Sequence, residues 1–329
     1  MNTADVVDAT LEWPIAPSFT KVGYDLRSRL DHWRPLDDYD QTGQVVVVTG
    51  ATSGLGRAAA HQMAANGATL VLLSRSRDKT ERVRDELAAA TGNDRLETAV
   101  ADLADLDEVE AAAAAIRDRH DRIDVLIHNA GALDAERHET AAGIEHTVAV
   151  QVVGPFLLTA RLLDRMGGAG PSRVLTMSSG GMYSAGLTVD HLEMDDEHYG
   201  GSEQYARAKR AQVTLNELWA ERFPDRSVVF HALHPGWADT PGVERALPRF
   251  HTVLGPLLRS ADQGADTLVW LAADPGEPLD TTGRFWLDRR PRPIHRLPST
   301  RRSDTPEARA RLWDWVAERS GAGADLPTA

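Results

Sequence analysis

The chain of 329 residues contains no cysteine, which excludes a disulfide framework, a thiolate zinc site and a thiol nucleophile. Basic residues are in deficit, 36 Lys+Arg against 49 Asp+Glu, for a net charge of −13. A surface that neutralises phosphates needs a basic excess, so nucleic acid is excluded as a partner. Long apolar runs are missing too. Val45–Val48 and Ala68–Leu73 are strand-sized, so no integral membrane segment is expected. Met1 to Glu12 carries acids where a secretory n-region would be positive. A cytoplasmic address is therefore expected. Lysine is scarce: only Lys21, Lys79 and Lys209 occur, about one basic residue in twelve.

What is present is an alternation of strands and helices from Gln44 onward. Val45–Thr49, Thr69–Ser74, Leu96–Val100, Val125–His128, Arg173–Met177 and Val228–Leu233 read as strands. Many are continuous apolar runs, the mark of burial on both faces. Helices are expected over Arg57–Asn66, closed by Gly67, over roughly Asp78–Ala90, and after an Asp105 cap with Glu108 three residues on. Strands separated by helices predict an α/β fold, a Rossmann-type doubly wound parallel sheet.

Two flanks lie outside the repeat. Residues 1–43 form an N-terminal extension in which Phe19, Val22, Leu26, Leu30 and Trp33 make one helical stripe after a possible Ser18 cap. Such a stripe packs onto its own molecule, onto a second copy, or onto a membrane surface. Residues 44–290 are read as the α/β domain, and 291–329 as a tail with a helix starting near Pro306, capped by Asp304 or Thr305.

At the turn from the first strand into the first helix stands Thr49-Gly50-Ala51-Thr52-Ser53-Gly54-Leu55-Gly56. Glycines there let a pyrophosphate approach backbone N–H groups at the positive end of a helix. A tight turn alone would also use them, but the setting between a buried strand and an Ala-rich helix favours a nucleotide.

The spacing T-G-x-x-x-G-x-G resembles the short-chain dehydrogenase/reductase superfamily. Asp102-Leu103, Asn129-Ala130-Gly131 and Pro235-Gly236 with Thr240 follow where that family places adenine-contacting, sheet-supporting and nicotinamide-contacting elements. The resemblance implies that Thr49, Gly50, Thr52, Ser53, Gly54, Leu55, Gly56, Arg57, Ser74, Arg75, Asp102, Leu103, Asn129, Ala130, Gly131, Tyr205, Lys209, Pro235, Gly236 and Thr240 hold the cofactor. An NAD-binding site would present Asp or Glu at the end of the second strand. Here Ser74-Arg75 stands there and Arg57 follows the last loop glycine, which favours the 2′-phosphate of NADP(H) over NAD(H). The alternative is two solvated arginines.

Of five tyrosines only Tyr205 has a lysine four residues later, Lys209, on the same helical face. Carbonyl reduction needs a proton donor on oxygen as hydride reaches carbon, and a neighbouring ammonium should pull the tyrosine hydroxyl down. Tyr205 alone could be an ordinary half-buried helix tyrosine; the scarcity of lysine argues otherwise. The resemblance implies that Ser179, the second of Ser178-Ser179, polarises the substrate oxygen. Its 26-residue separation from Tyr205, through the insertion Gly186–Ser202, is similar to the retinol-dehydrogenase-like branch. Where the family has a relay asparagine this chain has Gln151, an amide one methylene further out, so the relay is altered or impaired.

The run His234 to Val243, with Ser178–Met182, Leu258–Ser260, Gln263–Thr267 and Gly283–Arg289, is similar to the member-12 subgroup of the dehydrogenase/reductase branch. Residues 237–260 are expected to form a substrate lid. Trp237, Val243, Leu247, Phe250 and Leu254 there offer an apolar wall to a lipophilic carbonyl or alcohol, or simply bury the lid. His191, His198, His231, His234 and His251 lack ligand spacing apart from His231-x-x-His234, and no metal is expected. The expected activity is NADP(H)-dependent carbonyl–alcohol oxidoreduction; a cofactor-binding regulator with little turnover and a peripheral membrane protein are the alternatives. The resemblance also implies a homodimer or homotetramer through the helices carrying Gln151 and Tyr205, unless the flanks cover them.

Overall fold

Short β-branched runs gain most when both faces of the strand are covered, and this chain arranges them so. In the computed structural model, which describes residues 3–12, 16–168, 170–224, 227–240, 252, 254–323 and 326, β1 (Val45–Thr49), β2 (Thr69–Ser74), β3 (Leu96–Val100), β4 (Val125–His128), β5 (Ser172–Met177), β6 (Val228–Leu233), β7 (Arg284–Leu287) and β8 (Arg290–Arg292) form one sheet. The order is β3-β2-β1-β4-β5-β6-β7-β8. All pairings are parallel except β7 with β8. Val46 pairs with Leu70 on one side and Val125 on the other. The strand order therefore reverses between β1 and β4, and the crevice outside their C-terminal ends is where such sheets take ligands. All six expected strands are present. The β7–β8 hairpin was not foreseen; its tight turn holds Asp288 and Arg289 at φ +56° and +54°.

Helices cover both faces. α4 (Gly54–Ala65), α5 (Arg77–Thr91) and a later helix, α10 (Ala261–Ala273), pack on one side, burying Met63, Leu87 and Leu268 against Val46, Leu70 and Trp286. α6 (Leu106–Arg119), α8 (Gly154–Leu162) and α9 (Gly201–Arg222) pack on the other, with Ile116, Leu157 and Trp219 in the core. Asp105 caps α6 by accepting from the Asp107 and Glu108 amides. Glu108 does not close a capping box; its carboxylate accepts from the Asp102 amide at 2.8 Å.

α7 (His146–Val148) leads through a π-helical turn, Ala149–Val153, into α8. Among the described residues, His146–Arg165 is long and apolar enough to cross a membrane, although the apolar runs gave no such indication. Some 78% of that stretch is buried inside the protein.

After α11 (Glu277–Asp280) and α12 (Pro298–Ser303), the tail carries α13 (Pro306–Ser320), capped by Thr305, whose hydroxyl accepts from the Ala308 amide. α13 lies across α8 and α9. Trp313 sits 5.0 Å from the ring of Phe156 and 4.8 Å from that of Trp219.

The N-terminal extension differs from its expected form. α1 (Thr3–Glu12) and α2 (Ala16–Phe19) precede α3 (Lys21–Leu30), which starts after Thr20. Phe19 thus lies before the helix and Trp33 beyond it. The buried face of α3 carries Gly23 and Arg27, while Val22 is 49% exposed. The apolar stripe does not set the buried face because Arg27 finds carboxylates inside the protein, and because Gly23 lets the helix rest on the Pro17 and Ser18 carbonyls. Ser18 is not the cap; its hydroxyl donates to Glu12 and accepts from Arg27. Of the expected lid 237–260, residues 241–251 and 253, with Val243, Leu247 and Phe250, lie outside the described residues. Its two ends are described and meet as a parallel bridge between Ala238 and Arg259.

Candidate active site

The glycine loop is built by its neighbours as much as by itself. Thr49, the last residue of β1, donates its hydroxyl to the Ile127 carbonyl and accepts from the amides of Asn129 and Ala130. The Asn129 side chain returns the tie by donating to the Thr49 and Gly50 carbonyls, at 3.1 and 3.2 Å. This locks the ends of β1 and β4 together at the reversal of strand order. A Cβ at Gly56 would lie 2.3 Å from Asn129 Nδ2 and 2.4 Å from the Gly50 oxygen, so α4 can start here only on glycine. Ser53 is the N-cap of α4, with Thr52 and Leu55 beside it; its side chain makes no cap bond, leaving the first helical amides facing the crevice.

The edges of this crevice come from distant positions. Thr240 reaches the loop, its side chain 3.5 Å from where a Cβ of Gly54 would stand. Asp102 uses its carboxylate on the Ala104 amide, and Leu103 is buried, its carbonyl against Gly154 at the start of α8. Ser74 is buried, its hydroxyl 2.5 Å from that of Thr80, so it faces inward onto α5. Arg75 is exposed at the end of β2. Arg57 is exposed too and pairs with Glu86 at 2.8 Å. Of the two arginines expected near a 2′-phosphate, only Arg75 has no carboxylate pairing it among the described ion pairs.

Tyr205 and Lys209 sit one turn apart on α9, with the Lys209 Nζ 5.3 Å from the centroid of the Tyr205 ring. Ser179 follows β5 in extended backbone, its Oγ accepting from the Gly181 amide at 3.1 Å. The absence of a side chain at Gly181 opens the space between them: a Cβ there would be 3.6 Å from Ser179 Oγ and 3.8 Å from the Tyr205 ring. Ser178 is spent elsewhere, donating to the Lys209 carbonyl. Of the two serines, the second faces Tyr205.

The electrostatics depart from the sequence reading. Burial pushes the Tyr205 hydroxyl above its usual value, opposed by the hydrogen bond with Ser179. Burial also brings Lys209 down to about 7, and its ammonium donates to the Met177 carbonyl at 2.9 Å. The expected pull of Lys209 on Tyr205 is not present in this arrangement, because the Nζ points at a backbone oxygen rather than at the phenol.

Gln151 lies in the π-helical turn, fully buried. Single π-turns inside helices recur at functional sites. Its Nε2 donates to the Ala132 carbonyl at 2.7 Å, and its own backbone carbonyl accepts from Gln212 at 2.6 Å. A Cβ at Gly131 would lie 3.8 Å from Gln151 Oε1 and 3.9 Å from Lys209 Nζ. Gln151, Lys209 and Gly131 therefore border one small space, continuous in sequence with the Asn129–Gly131 wall. Gly50 and Gly56 let the loop close on Ala130 and Asn129, which leaves the uncapped head of α4 at one end and Gly131 beside Lys209 at the other, a donor set that suits a dinucleotide.

Sequence reasoning passed over three residues here. His234, read as the start of the His234–Val243 run and weighed as a metal ligand but given no role at the site, accepts the Gly180 amide on Nδ1 at 3.1 Å and packs edge-on against Phe19. Burial first, and then Arg259, bring it down to about 3. His231 accepts from Trp286 Nε1 and donates to the Pro278 carbonyl. Arg259 makes two bonds to Asp288, and its guanidinium lies against Gly236, at φ +76°. The short His234-Pro235-Gly236 run was the available signal for this cluster. Among the described residues no group of three His, Asp or Glu side chains could hold a metal ion.

This geometry agrees with what the chain is similar to. The family model for short chain dehydrogenase matches residues 44–249. Dehydrogenase/reductase SDR family member 12 of Homo sapiens is 36% identical over 295 residues, covering 89% of this chain and 91% of that protein. Retinol dehydrogenase 13 of Homo sapiens is 30% identical over 280 residues, covering 82% of each. Among solved structures, L-sorbose reductase from Gluconobacter frateurii, complexed with NADPH and L-sorbose, superposes with a TM-score of 0.61 at 20% identity over 76% of this chain and 96% of that one. The chain belongs to the short-chain dehydrogenase/reductase superfamily of oxidoreductases.

Proposed function

We propose that the chain is an NADP(H)-dependent oxidoreductase interconverting a lipophilic ketone or aldehyde with its alcohol, with Tyr205 as the acid/base. The observation that carries this reading is the grouping of Ser179 and Tyr205, hydrogen-bonded to each other beside the side-chain-free Gly181, with Lys209 one helical turn away. In reduction, Ser179 would hold the substrate oxygen by a hydrogen bond and Tyr205 would pass it a proton. Proton donation of this kind contributes about 10²–10⁴-fold. Lys209, released from the Met177 carbonyl, would bind the ribose and stabilise the phenolate that remains. The nicotinamide group, when bound, supplies the hydride. Thr49, Gly50, Thr52, Ser53, Gly54, Leu55 and Gly56 would take the pyrophosphate. Asp102 and Leu103 would face the adenine, and Asn129, Ala130 and Gly131 would back the ring. Pro235, Gly236 and Thr240 would hold the nicotinamide amide.

Preference for NADP(H) over NAD(H) is supported by Arg75 at the exposed end of β2, with Ser74 as its anchor and Arg57 as a second donor. The Arg57–Glu86 pair is exposed on both sides, and such pairs are worth about 0–1 kcal/mol, so a phosphate could displace it. A lipophilic substrate is supported by the apolar residues of 237–260, which we assign as the lid. The reading includes a cytoplasmic address, checked by fractionation. α13 covers the face of α8 and α9, which supports a protein that does not self-associate there; light scattering of the purified chain tests it.

A second reading, an NADP(H)-binding regulator with little turnover, draws on Gln151. Its backbone carbonyl is taken by Gln212, and Lys209 is turned to Met177. The two readings part in one assay. Oxidation of NADPH by a panel of aryl ketones and aldehydes marks the enzyme, whereas tight NADPH binding without turnover on any of them marks the regulator.

A further inference from the structure

The N-terminal segment lies outside the part of the chain that makes the site, yet it is bonded to the site more closely than any other flank. Phe19 offers its carbonyl to the Trp237 amide at 2.7 Å. Arg259 donates to the Phe19, Thr20, Ser18 and Pro235 carbonyls and, bidentate, to Asp288. Its backbone joins the two described ends of 237–260 at a neck: the Arg259 amide donates to the Trp237 carbonyl, and its carbonyl accepts from the Asp239 amide, each at 2.8 Å. Arg27 donates to Asp288 at 2.6 Å from the other side, and to Asp8 and Glu12 within the extension. Arg27 is 2% exposed, Arg259 1% and Asp288 0%.

The Phe19 ring reaches further still. It stands 4.3 Å from the His234 ring, edge-on, and a Cβ at Gly180 would meet it at 2.7 Å. His234 in turn accepts the Gly180 amide. One aromatic side chain is thereby wedged between the residue after Ser179 and the residue before Pro235-Gly236.

We infer that the segment 17–27 is a positioning clamp, in which Phe19 sets the Ser179–Gly180 turn against the His234–Gly236 loop and Arg27, through Asp288, holds Arg259 in register with Trp237–Asp239. The inference rests on the proposed reaction. Neither Phe19 nor Arg27 touches the reacting atoms; both act through residues that would. The Phe19 part of the clamp should matter at the nicotinamide end of the site and not at the adenine end, because its ring and carbonyl meet His234, Gly180, Trp237 and Arg259, whereas Tyr24 and Asp25 of the same segment bond to Asp266 and Gln263 on α10.

The test is Phe19→Ala, with Phe19→Leu as the conservative partner, assayed below the melting temperature of each. Adenosine 2′,5′-bisphosphate probes the adenine end alone, NADPH probes both ends, and an aryl ketone reduced by the wild type probes turnover. The clamp predicts at least a tenfold loss of kcat in Phe19→Ala, a several-fold loss of NADPH affinity, unchanged bisphosphate affinity, and partial recovery in Phe19→Leu. Unchanged kcat and NADPH affinity would overturn it, as would equal losses of bisphosphate and NADPH binding. If Phe19→Ala does not fold, Arg259→Lys takes its place, with hydrogen exchange at the Trp237 amide: the clamp predicts faster exchange together with the same split between the two ligands. A wild type that turns over no carbonyl sinks the proposed reaction alone, since the split in binding still reports on the clamp.

Discussion

The two ends of the site are held in opposite ways. At the glycine loop, β1 and β4 are joined by neutral hydrogen bonds from Thr49 and Asn129, and the charged side chains there, Arg57 and Arg75, stand in solvent. At the neck, where Trp237–Asp239 meets Arg259, two arginines and an aspartate are buried together and bonded to four carbonyls of the chain. The first arrangement costs little to build and leaves Arg75 without a carboxylate among the described ion pairs, and Arg57 in an exposed pair that a ligand can displace. The second commits its charges to the fold. A buried charge is costly to desolvate and tolerable only with its partners in place, so the neck is specified rigidly and fails abruptly when one partner is removed.

The sharpest way to break this contrast is Asp288→Ala. It leaves Arg27 and Arg259 buried without their shared carboxylate, and should cost about 3–5 kcal/mol of stability in urea unfolding. A loss below about 1 kcal/mol would mean that water or other carboxylates already serve those arginines. Gly56→Ala tests the other end. Its methyl group would overlap Asn129 and the Gly50 carbonyl, so a cost of about 1–3 kcal/mol is expected, with weaker NADPH binding. Wild-type stability and affinity would show that the loop has room to spare.

How much of this was legible beforehand follows the same division. Thr49 to Gly56 was readable because its demands are local: a strand ends, a helix begins, and sterics at each glycine are settled by near neighbours or by β4. Tyr205 and Lys209 were readable because four residues is one helical turn. The six strands β1–β6 were readable from short Val- and Leu-rich runs set between helices, whereas β7 and β8, four and three residues long and the latter only Arg and Pro, carry no such signal. The clamp was not readable. Arg27 and Asp288 lie 261 residues apart, and an arginine inside an otherwise apolar helical pattern looks like a solvated residue until its partners are known. Nor could the sequence show that Lys209 turns to Met177, since that depends on which carbonyl at the end of β5 is nearest.

Smaller effects sharpen the comparison. Arg75→Asp should shift the NADPH/NADH preference by about tenfold or more, which is what removing one charge-assisted hydrogen bond to a phosphate is worth; an unchanged ratio would remove Arg75 from the site. Lys209 in the folded protein, at about 7, lies below its ordinary value of 10.5. Between those values the unfolded chain holds a proton that the folded chain has shed, so this residue makes stability rise with pH across that window. Lys209→Met should flatten that rise, and an unaltered slope would mean that its ammonium is solvated. His128, His231 and His234 are held at about 3 to 4 against an ordinary 6.5, by burial in each case. By the same sign, stability should fall as pH drops from about 6.5 towards 4, and His234→Gln should make that fall shallower. The smallest effect expected is from Glu86→Ala. It frees an exposed arginine, and should change NADPH affinity by a few-fold at most.

The central claim is that Tyr205 is the proton donor of an NADPH-dependent carbonyl reduction. The direct measurement is NADPH oxidation with an aryl ketone panel by the wild type and by Tyr205→Phe, with nucleotide binding followed in parallel by quenching of the eight tryptophans. The account predicts turnover by the wild type, NADPH bound more tightly than NADH, and a loss of at least about 100-fold in Tyr205→Phe with NADPH affinity kept within a few-fold. A Tyr205→Phe protein that turns over at the wild-type rate, or a wild type that binds neither nucleotide, would contradict it.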